Sequence, residues 1–227
     1  MTTLYIANKN YSSWSLRPWV LLSELGIPFE EQLVAFGQGS NWETFRHFSP
    51  TGRVPCLRDG DTVVWDSLAI AEYLAERHAG VWPSDNAART WARCAAAEMH
   101  SGFATLREQC GMNCGIRVRL REMGPALAAD IARINELWNE GLARFGGPFL
   151  AGKAFSAVDA FFAPVVFRVQ TYGLGLEGPA ADYVPRMLAL PSMQRWYEAA
   201  LAETWRDESH EEDTRRYGEL REDLRAA

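Results

Sequence analysis

Two adjacent serines stand close to the predicted start of the first helix, in the stretch YSSWSLRP at residues 11–18. The hydroxyl groups of Ser12 and Ser13 could cap that helix. A helix N-terminus also carries partial positive charge and free amide groups, so the same hydroxyls could help to hold an anion. Pro18 is compatible with the first helical turn, where a missing amide costs nothing. The stretch therefore predicts either a capped helix or a small anion site.

A second pattern lies in FSAVDAFFAPV at residues 155–165. Ser156 and Asp159 have the spacing of a capping box, in which each side chain satisfies the backbone amide of the other residue. Phe155 precedes the box as a hydrophobic staple would. We therefore assign Asp159 a role in stability and not in chemistry.

The first third of the chain must position the early serines, and it alternates strand and helix patterns. The predicted elements are a strand at 3–7, a helix at 16–25, a strand at 28–36, a helix at 42–48, two short strands around a turn at 59–61 and a helix at 67–77. Gly26 follows the first helix as a C-cap glycine does. The order is β-α-β-α-β-β-α, which indicates an α/β domain over residues 1–82.

The rest of the chain, residues 88–227, is predicted to be an all-α domain. Apolar residues recur at three- and four-residue spacing over 87–109, 125–145, 157–172 and 192–205. Glycine- and proline-containing breaks separate these segments. The mixed-charge tail at 206–225 predicts a solvated helix.

Composition limits the classes of function. The chain has 227 residues, 48% hydrophobic residues and a net charge of -6, which suits a globular protein and argues against a broad electrostatic grip on nucleic acid or an anionic membrane. No apolar run is long enough to cross a membrane, and the first residues do not form a signal peptide, so we expect a cytoplasmic protein. The four histidines and four cysteines are scattered, and we expect no metal site.

Four stretches, in this order, resemble the glutathione transferase superfamily over nearly the whole chain: YSSWSLR, TGRVPCL, WDSLAIAEYL and FSAVDAFFAPV. SSWSLR is most similar to the zeta class, the maleylacetoacetate isomerase type, and to related bacterial serine-type enzymes. A comparable stretch there reads SSCSWR, and Trp14 replaces its cysteine. The resemblance implies a thioredoxin-like first domain that binds glutathione as a co-substrate.

The resemblance implies where glutathione would lie. Val54 and Pro55 look like the family's cis-proline turn, which presents the backbone of Val54 to an extended peptide. Asp66 and Ser67 occupy the place where the family holds the γ-glutamyl end. Ser67 suits its carboxylate and Asp66 its ammonium group, although the pair taken alone is more typical of a helix cap. The other residues implied as contacts are Ser13, Trp42 and Arg53, although Trp42 could equally pack beneath its loop and Arg53 could simply be exposed.

Ser12 corresponds to the catalytic residue of the serine-type enzymes. Its hydroxyl would donate to the glutathione sulfur, with Ser13 as the second candidate. Tyr5 and Tyr11 keep a tyrosine-type site open. Arg17 could form a structural ion pair or contact glutathione, and we favour the structural role. Because SSWSLR contains no cysteine, disulfide exchange with glutathione is disfavoured.

The resemblance also implies a pocket for the electrophile between the domains. The segment AEMHSGFATLR at 97–107 is similar to the family helix that faces this pocket. The residues expected to line it are Trp14, His100, Ser101 and Thr105. A lone histidine in such a helix is more often structural than catalytic.

These observations predict a homodimeric glutathione transferase that attacks a small hydrophobic electrophile. Two alternatives stay open. One is a glutathione-dependent cis/trans isomerase of the maleylacetoacetate type. The other is a glutathione-binding protein without turnover. The dimer follows from the resemblance alone, and no nucleic acid or membrane partner is expected.

Overall fold

The N-terminal elements of the computed structural model, which describes residues 2–37 and 39–226, follow the predicted order. They are β1 (Thr2–Ile6), α1 (Ser13–Glu24), β2 (Glu30–Leu33), α2 (Trp42–Arg46), β3 (Cys56–Asp59), β4 (Thr62–Val64) and α3 (Ser67–Ala75). The thioredoxin-like β-α-β-α-β-β-α arrangement is confirmed. The first helix begins three residues earlier than predicted, directly after Ser12.

The four strands form one sheet in the order β2-β1-β3-β4. β1 pairs in parallel with β2 and antiparallel with β3, and β3 pairs antiparallel with β4. The β1–α1 connection and the start of α1 therefore lie at the end of a central strand. Ser12 therefore lies at one end of the strands, at the same end of the sheet as the turn that leads into β3.

The C-terminal half is helical, as expected from its periodicity. Its helices are α4 (Asn86–Ser101), α5 (Ala104–Gln109), α6 (Pro125–Phe145), α7 (Ala157–Tyr172), α8 (Pro179–Leu188), α9 (Pro191–Ala202) and α10 (Glu208–Tyr217). The predicted boundary at 82–88 covers the end of the connection between α3 and α4 and the first residues of α4. Helix α8 lies in a segment that the sequence predicted to be a break between helices. The glycine and proline of that segment instead mark the start of α8.

Two strands in this half were not predicted. β5 (Ile116–Leu120) pairs antiparallel with β6 (Gly218–Asp223). The predicted helix over the charged tail is right for α10 and wrong for β6. The charge pattern was misleading because β6 is an exposed edge strand whose glutamate and arginine side chains face solvent, as those of a solvated helix do.

The predicted helix at 87–109 is interrupted. Phe103 adopts a left-handed conformation, with φ at 57°, and separates α4 from α5. The Arg107 guanidinium donates to the carbonyls of Met99, His100 and Gly102, which the end of α4 leaves without amide partners. The turn at Phe103 therefore shifts every later residue of this segment relative to a continuous helix, and Arg107 satisfies the carbonyls at the end of α4.

Helix α7 is the centre of the core. Of its 16 residues, only Val169 and Gln170 are not buried. It packs on α1, α4 and α8 and joins the apolar cores of the two halves of the chain. The capping box at its start forms as predicted. Asp159 accepts from the amide of Ser156 at 3.0 Å, and Phe155 is buried in front of it.

Candidate functional site

A cavity of about 610 Å³ lies between the N-terminal sheet and the C-terminal helices. Its volume is within the range of about 300–1,000 Å³ found for small-molecule sites. Six of the residues on its N-terminal wall are Ser12, Ser13, Trp14, Trp42, Arg53 and Val54. Six on the opposite wall are Arg107, Glu108, Met112, Arg168, His210 and Asp213.

Ser12 is the N-cap residue of α1 and only 5% exposed. Its hydroxyl donates to Ser15 Oγ at 2.7 Å, and Ser15 Oγ accepts from the amide of Ala7 at 3.2 Å. A hydroxyl is both donor and acceptor and rotates to suit its partners. Ser15 can therefore donate to Ser12 instead, which frees the Ser12 proton for an anion in the cavity.

The other candidates for the anion donor have different surroundings. Ser13 is the first residue of α1 and lines the cavity. Within the described residues its hydroxyl makes no hydrogen bond. Tyr11 also lines the cavity, but its hydroxyl donates to Glu211 at 2.6 Å. Burial, and next the Glu211 hydrogen bond, raise the pKa of Tyr11. Tyr5 stacks on Phe48 away from the cavity, with ring centres 4.4 Å apart.

The loop before Ser12 is held from the C-terminal half. The Glu203 carboxylate accepts from the amides of Lys9 and Asn10, at 2.6 and 3.2 Å. The Asn10 side chain donates to Ala200 O at 2.5 Å and accepts from the Gly115 amide at 3.2 Å. The position of Ser12 therefore depends on both halves of the chain.

A second cavity, of about 430 Å³, adjoins the first and shares Trp14, Arg53 and Val54 with it. Pro55 and Asp66, which we predicted to contact glutathione, also line this second cavity. The Val54–Pro55 peptide is cis. Asp66 caps α3 by accepting from the amides of Leu68 and Ala69, and its second oxygen lies 3.1 Å from His100 Nε2.

Trp42 and Ser67 differ in exposure. Trp42 is 53% exposed on the wall of the larger cavity. Ser67 is 1% exposed beneath Asp66, and its hydroxyl has no partner within the described part of the chain.

Three of the four predicted electrophile residues lie away from the larger cavity. Trp14 lines it, whereas His100, Ser101 and Thr105 do not. Ser101 is exposed and donates to Ala97 O, and His100 faces Asp66 and the edge of Trp14. The break at Phe103 displaces Thr105, and Arg107 and Glu108 occupy the wall instead, whereas His100 and Ser101 lie before the break at the end of α4.

The sequence interpretation missed two arginines of this region, Arg107 and Arg168. Arg107 and Arg168 line the cavity, and Arg17 lies behind Trp14, with its guanidinium 4.1 Å from the ring centre. Arg17 is 1% exposed and forms no ion pair with the described residues, so the structural ion pair that we favoured is wrong. A single charge inside the apolar run PVVFRV could have revealed Arg168.

The cysteines are free thiols. Cys56, Cys110 and Cys114 are buried, and Cys94 is exposed. Cys56 lies in β3, as predicted, and burial raises the pKa of its thiol. No cysteine lines either cavity.

Two family models match the chain in sequence order. The model described as "Glutathione S-transferase, N-terminal domain" matches residues 11–77, and "Glutathione S-transferase, C-terminal domain" matches residues 90–199. Together they span most of the chain. The chain belongs to the glutathione S-transferase superfamily.

Relatives of this glutathione S-transferase superfamily member agree with that assignment. It is 25% identical to "Glutathione S-transferase GstB" of Escherichia coli K12, over 87% of this chain and 92% of the relative. It is 24% identical to "Stringent starvation protein A homolog" of Pasteurella multocida, over 75% and 76%.

Solved structures show the same fold. A glutathione transferase homolog from Burkholderia, with bound glutathione, has a TM-score of 0.66 and 26% identity over 88% of this chain and 97% of that one. A theta class glutathione S-transferase from Xanthomonas axonopodis pv. citri, also with glutathione bound, has a TM-score of 0.63 and 24% identity over 86% and 96%.

Clusters of metal ligands and membrane-spanning helices are both absent from residues 2–37 and 39–226. These residues contain no group of three or more histidine, cysteine, aspartate or glutamate side chains that could hold a metal ion. Among the helices of that same part of the chain, none combines the length and apolar character that crossing a bilayer requires.

Proposed function

We propose that this protein is a serine-type glutathione transferase in which Ser12 activates the glutathione thiol. One observation carries the proposal. The Ser12 side chain and the N-terminus of the twelve-residue helix α1 both border the 610 Å³ cavity, next to Val54 and Arg53. The serine-type subtype, similar to the zeta class, is part of the proposal.

The energetic requirement is modest. A free thiol has a pKa of about 8.5, so only a few per cent is thiolate at neutral pH. Lowering that pKa by two units needs about 2.7 kcal/mol in favour of the anion. One hydrogen bond to a charged group contributes about 1.5–3 kcal/mol, and a helix N-terminus adds about 0.3–1 kcal/mol. Ser12 and α1 together are sufficient.

Glutathione would lie along both cavities, with its sulfur at Ser12. In this proposal the backbone of Val54, beside Pro55, pairs with the cysteinyl part of the tripeptide. Asp66 faces the ammonium of the γ-glutamyl end, and Ser67 lies beneath its carboxylate. Trp42 and Arg53 approach the glycine carboxylate, with Ser13 close to the sulfur. The electrophile, by this proposal a small molecule with a hydrophobic body, would contact Trp14, Phe36 and Met112 in the larger cavity.

Titration of bound glutathione by thiolate absorbance tests the role of Ser12. We expect Ser12→Ala to raise the thiol pKa by about one to two units, because it removes a hydrogen bond of about 1.5–3 kcal/mol to the anion. Ser12→Thr keeps the hydroxyl and is the matched control. An unchanged thiol pKa in Ser12→Ala, with a raised one in Ser13→Ala, would assign the role to Ser13.

The same titration examines the non-catalytic alternative, which requires glutathione affinity without thiolate formation. The isomerase alternative also begins with a thiolate, so it needs a different comparison, between maleylacetoacetate and a chlorinated aromatic acceptor. A homodimer is part of the proposal, and the molar mass in solution tests it.

A further inference from the structure

The most unusual group at the site is the side chain of Arg168. It projects from the buried helix α7, is 3% exposed and lines the 610 Å³ cavity. Its Nε donates to the Cys110 carbonyl at 2.8 Å, whereas Nη1 is buried without a hydrogen-bond partner among residues 2–37 and 39–226. Burial of an unpaired charge is costly, so a side chain of this kind indicates a missing anionic partner.

No carboxylate among residues 2–37 and 39–226 supplies that partner. The ion pairs within 4.0 Å in the described part of the chain include neither Arg168 nor Arg107 nor Arg17. Burial lowers the pKa of Arg168 to about 10, and the positive charge of Arg107 contributes to that shift. Burial also lowers the pKa of Arg17, and the positive charges of Arg107 and Arg168 contribute to that shift.

The ring of Trp14 contacts two of these cations. The Arg17 guanidinium is 4.1 Å from the centre of the ring, and the Arg107 guanidinium is 4.7 Å from it. Trp14 and Arg107 line the cavity, whereas Arg17 is not among its lining residues. Arg107 is held in place by three carbonyls at the end of α4, so it presents a fixed charge.

The acidic residues of the cavity lie at its exposed rim. Glu108 and Asp213 are exposed, and Glu108 accepts from the Tyr217 hydroxyl at 2.7 Å. His210 lies on the same wall and is bonded to Asp207 at 2.5 Å. The buried end of the cavity is therefore positive and its opening is mixed in charge.

From this arrangement we propose that the electrophile carries a carboxylate, which Arg168 binds inside the cavity and Arg107 attracts, while its apolar body lies against Trp14 and Met112. The inference rests on the proposed function, because it names the substrate class of that site. With a chlorinated aromatic acid, the glutathione sulfur forms a bond to the ring carbon that bears chlorine. The carbon–chlorine bond then breaks, and chloride leaves with the bonding electron pair.

Binding of an unreactive pair tests the inference without turnover. Calorimetry would compare 3-nitrobenzoate with its neutral isostere 3-nitrobenzamide, with S-methylglutathione present. We expect the wild type to prefer the carboxylate. In Arg168→Met its affinity should fall about 10- to 100-fold, the ratio for one lost hydrogen bond to a charged group. The amide and S-methylglutathione should each change by less than about threefold, a difference smaller than one such bond.

Arg195→Met is the matched control, because Arg195 is exposed on α9 and outside the cavity. If Arg168→Met does not fold, Arg107→Met provides a second test at a less buried position. It should selectively lower the affinity for the carboxylate probe. Equal affinity of the wild type for both probes, or an equal loss of both in the variants, would overturn the inference.

Turnover of 4-chloro-3-nitrobenzoate and 4-chloro-3-nitrobenzamide separates this inference from the proposed function. If the carboxylate probe binds selectively through Arg168 but neither chlorinated compound releases chloride, the anion site stands and the transferase function fails. If the protein accelerates both reactions by the same factor over their uncatalysed rates, the transferase function stands and the anion site fails.

Discussion

Two neighbouring hydroxyls, those of Tyr11 and Ser12, have opposite surroundings although both border the same cavity. The Tyr11 hydroxyl donates to the Glu211 carboxylate and accepts from Arg225 Nη1 at 3.1 Å. Within the described residues, the Ser12 hydroxyl is hydrogen-bonded only to the hydroxyl of Ser15, which can exchange donor and acceptor roles with it. A donor committed to a carboxylate is not free for a second anion. At the scale of single residues, these contacts favour a serine-type site over a tyrosine-type site.

Replacement of Tyr11 tests this distinction. We expect Tyr11→Phe to leave the pKa of bound glutathione unchanged and to destabilise the fold by about 1–3 kcal/mol, because Glu211 loses a donor. Thiolate absorbance and denaturant unfolding measure the two effects. Tyr217→Phe is the control, since it removes a similar bond to Glu108 near the surface. A rise of the thiol pKa in Tyr11→Phe would support a tyrosine-type site.

At the scale of elements, the start of α7 carries more hydrogen bonds than its sequence pattern predicted. Besides Ser156, the buried Asp159 carboxylate accepts from the Leu150 amide at 3.0 Å and from the Tyr183 hydroxyl at 2.9 Å. The capping box was visible in the sequence because its spacing is local. Leu150 and Tyr183 were not, because they reach Asp159 through the tertiary fold.

Asp159→Ala should therefore be more destabilising than loss of an ordinary cap. A cap contributes about 0.5–2 kcal/mol, and each buried donor left unsatisfied adds about 1–3 kcal/mol, so we expect a total loss above about 2 kcal/mol. Denaturant unfolding measures it. Asp85→Ala is the control, because Asp85 caps α4 at an exposed position. Loss of turnover with unchanged stability would contradict the structural role of Asp159.

At the scale of the whole molecule, the loop that carries Ser12 is anchored by the C-terminal half. Asn10 is fully buried, and its side chain contacts Ala200, Glu203 and Gly115. Trp196 Nε1 donates to the Lys9 carbonyl at 2.9 Å. The helical half therefore holds the loop that leads into α1.

Asn10→Ala should affect both stability and glutathione binding. Loss of its bonds leaves buried partners unsatisfied at about 1–3 kcal/mol each. For a chain of this size, each kcal/mol lowers Tm by about 2–4 °C. Asn139→Ala is the matched control, since Asn139 also makes three side-chain hydrogen bonds, all within the helical half. Thermal unfolding and glutathione calorimetry should show a loss of stability in both variants and weaker binding only in Asn10→Ala.

The parts of the molecule that were predicted are those in which local pattern and tertiary structure agree. The Val54–Pro55 turn and the cap at Asp66 lie in short motifs whose geometry is set by neighbouring residues. The motif around Ser12 is also short, although the helical half anchors the loop before it. The C-terminal wall of the larger cavity was not predicted from the sequence, because it depends on the break at Phe103 and on Arg168, which α7 brings from more than 150 residues beyond Ser12. Strand β6 was missed because an exposed charged strand lacks an apolar period.

The single exposed thiol has a practical consequence for enzymology. Because Cys94 lies on α4 outside both cavities while the other three cysteines are buried, an alkylating acceptor added as a substrate would also label this helix. A Cys94→Ser background therefore removes a stoichiometric side reaction from any assay. Conversely, the unmodified chain accepts one maleimide dye at a known position without further mutagenesis.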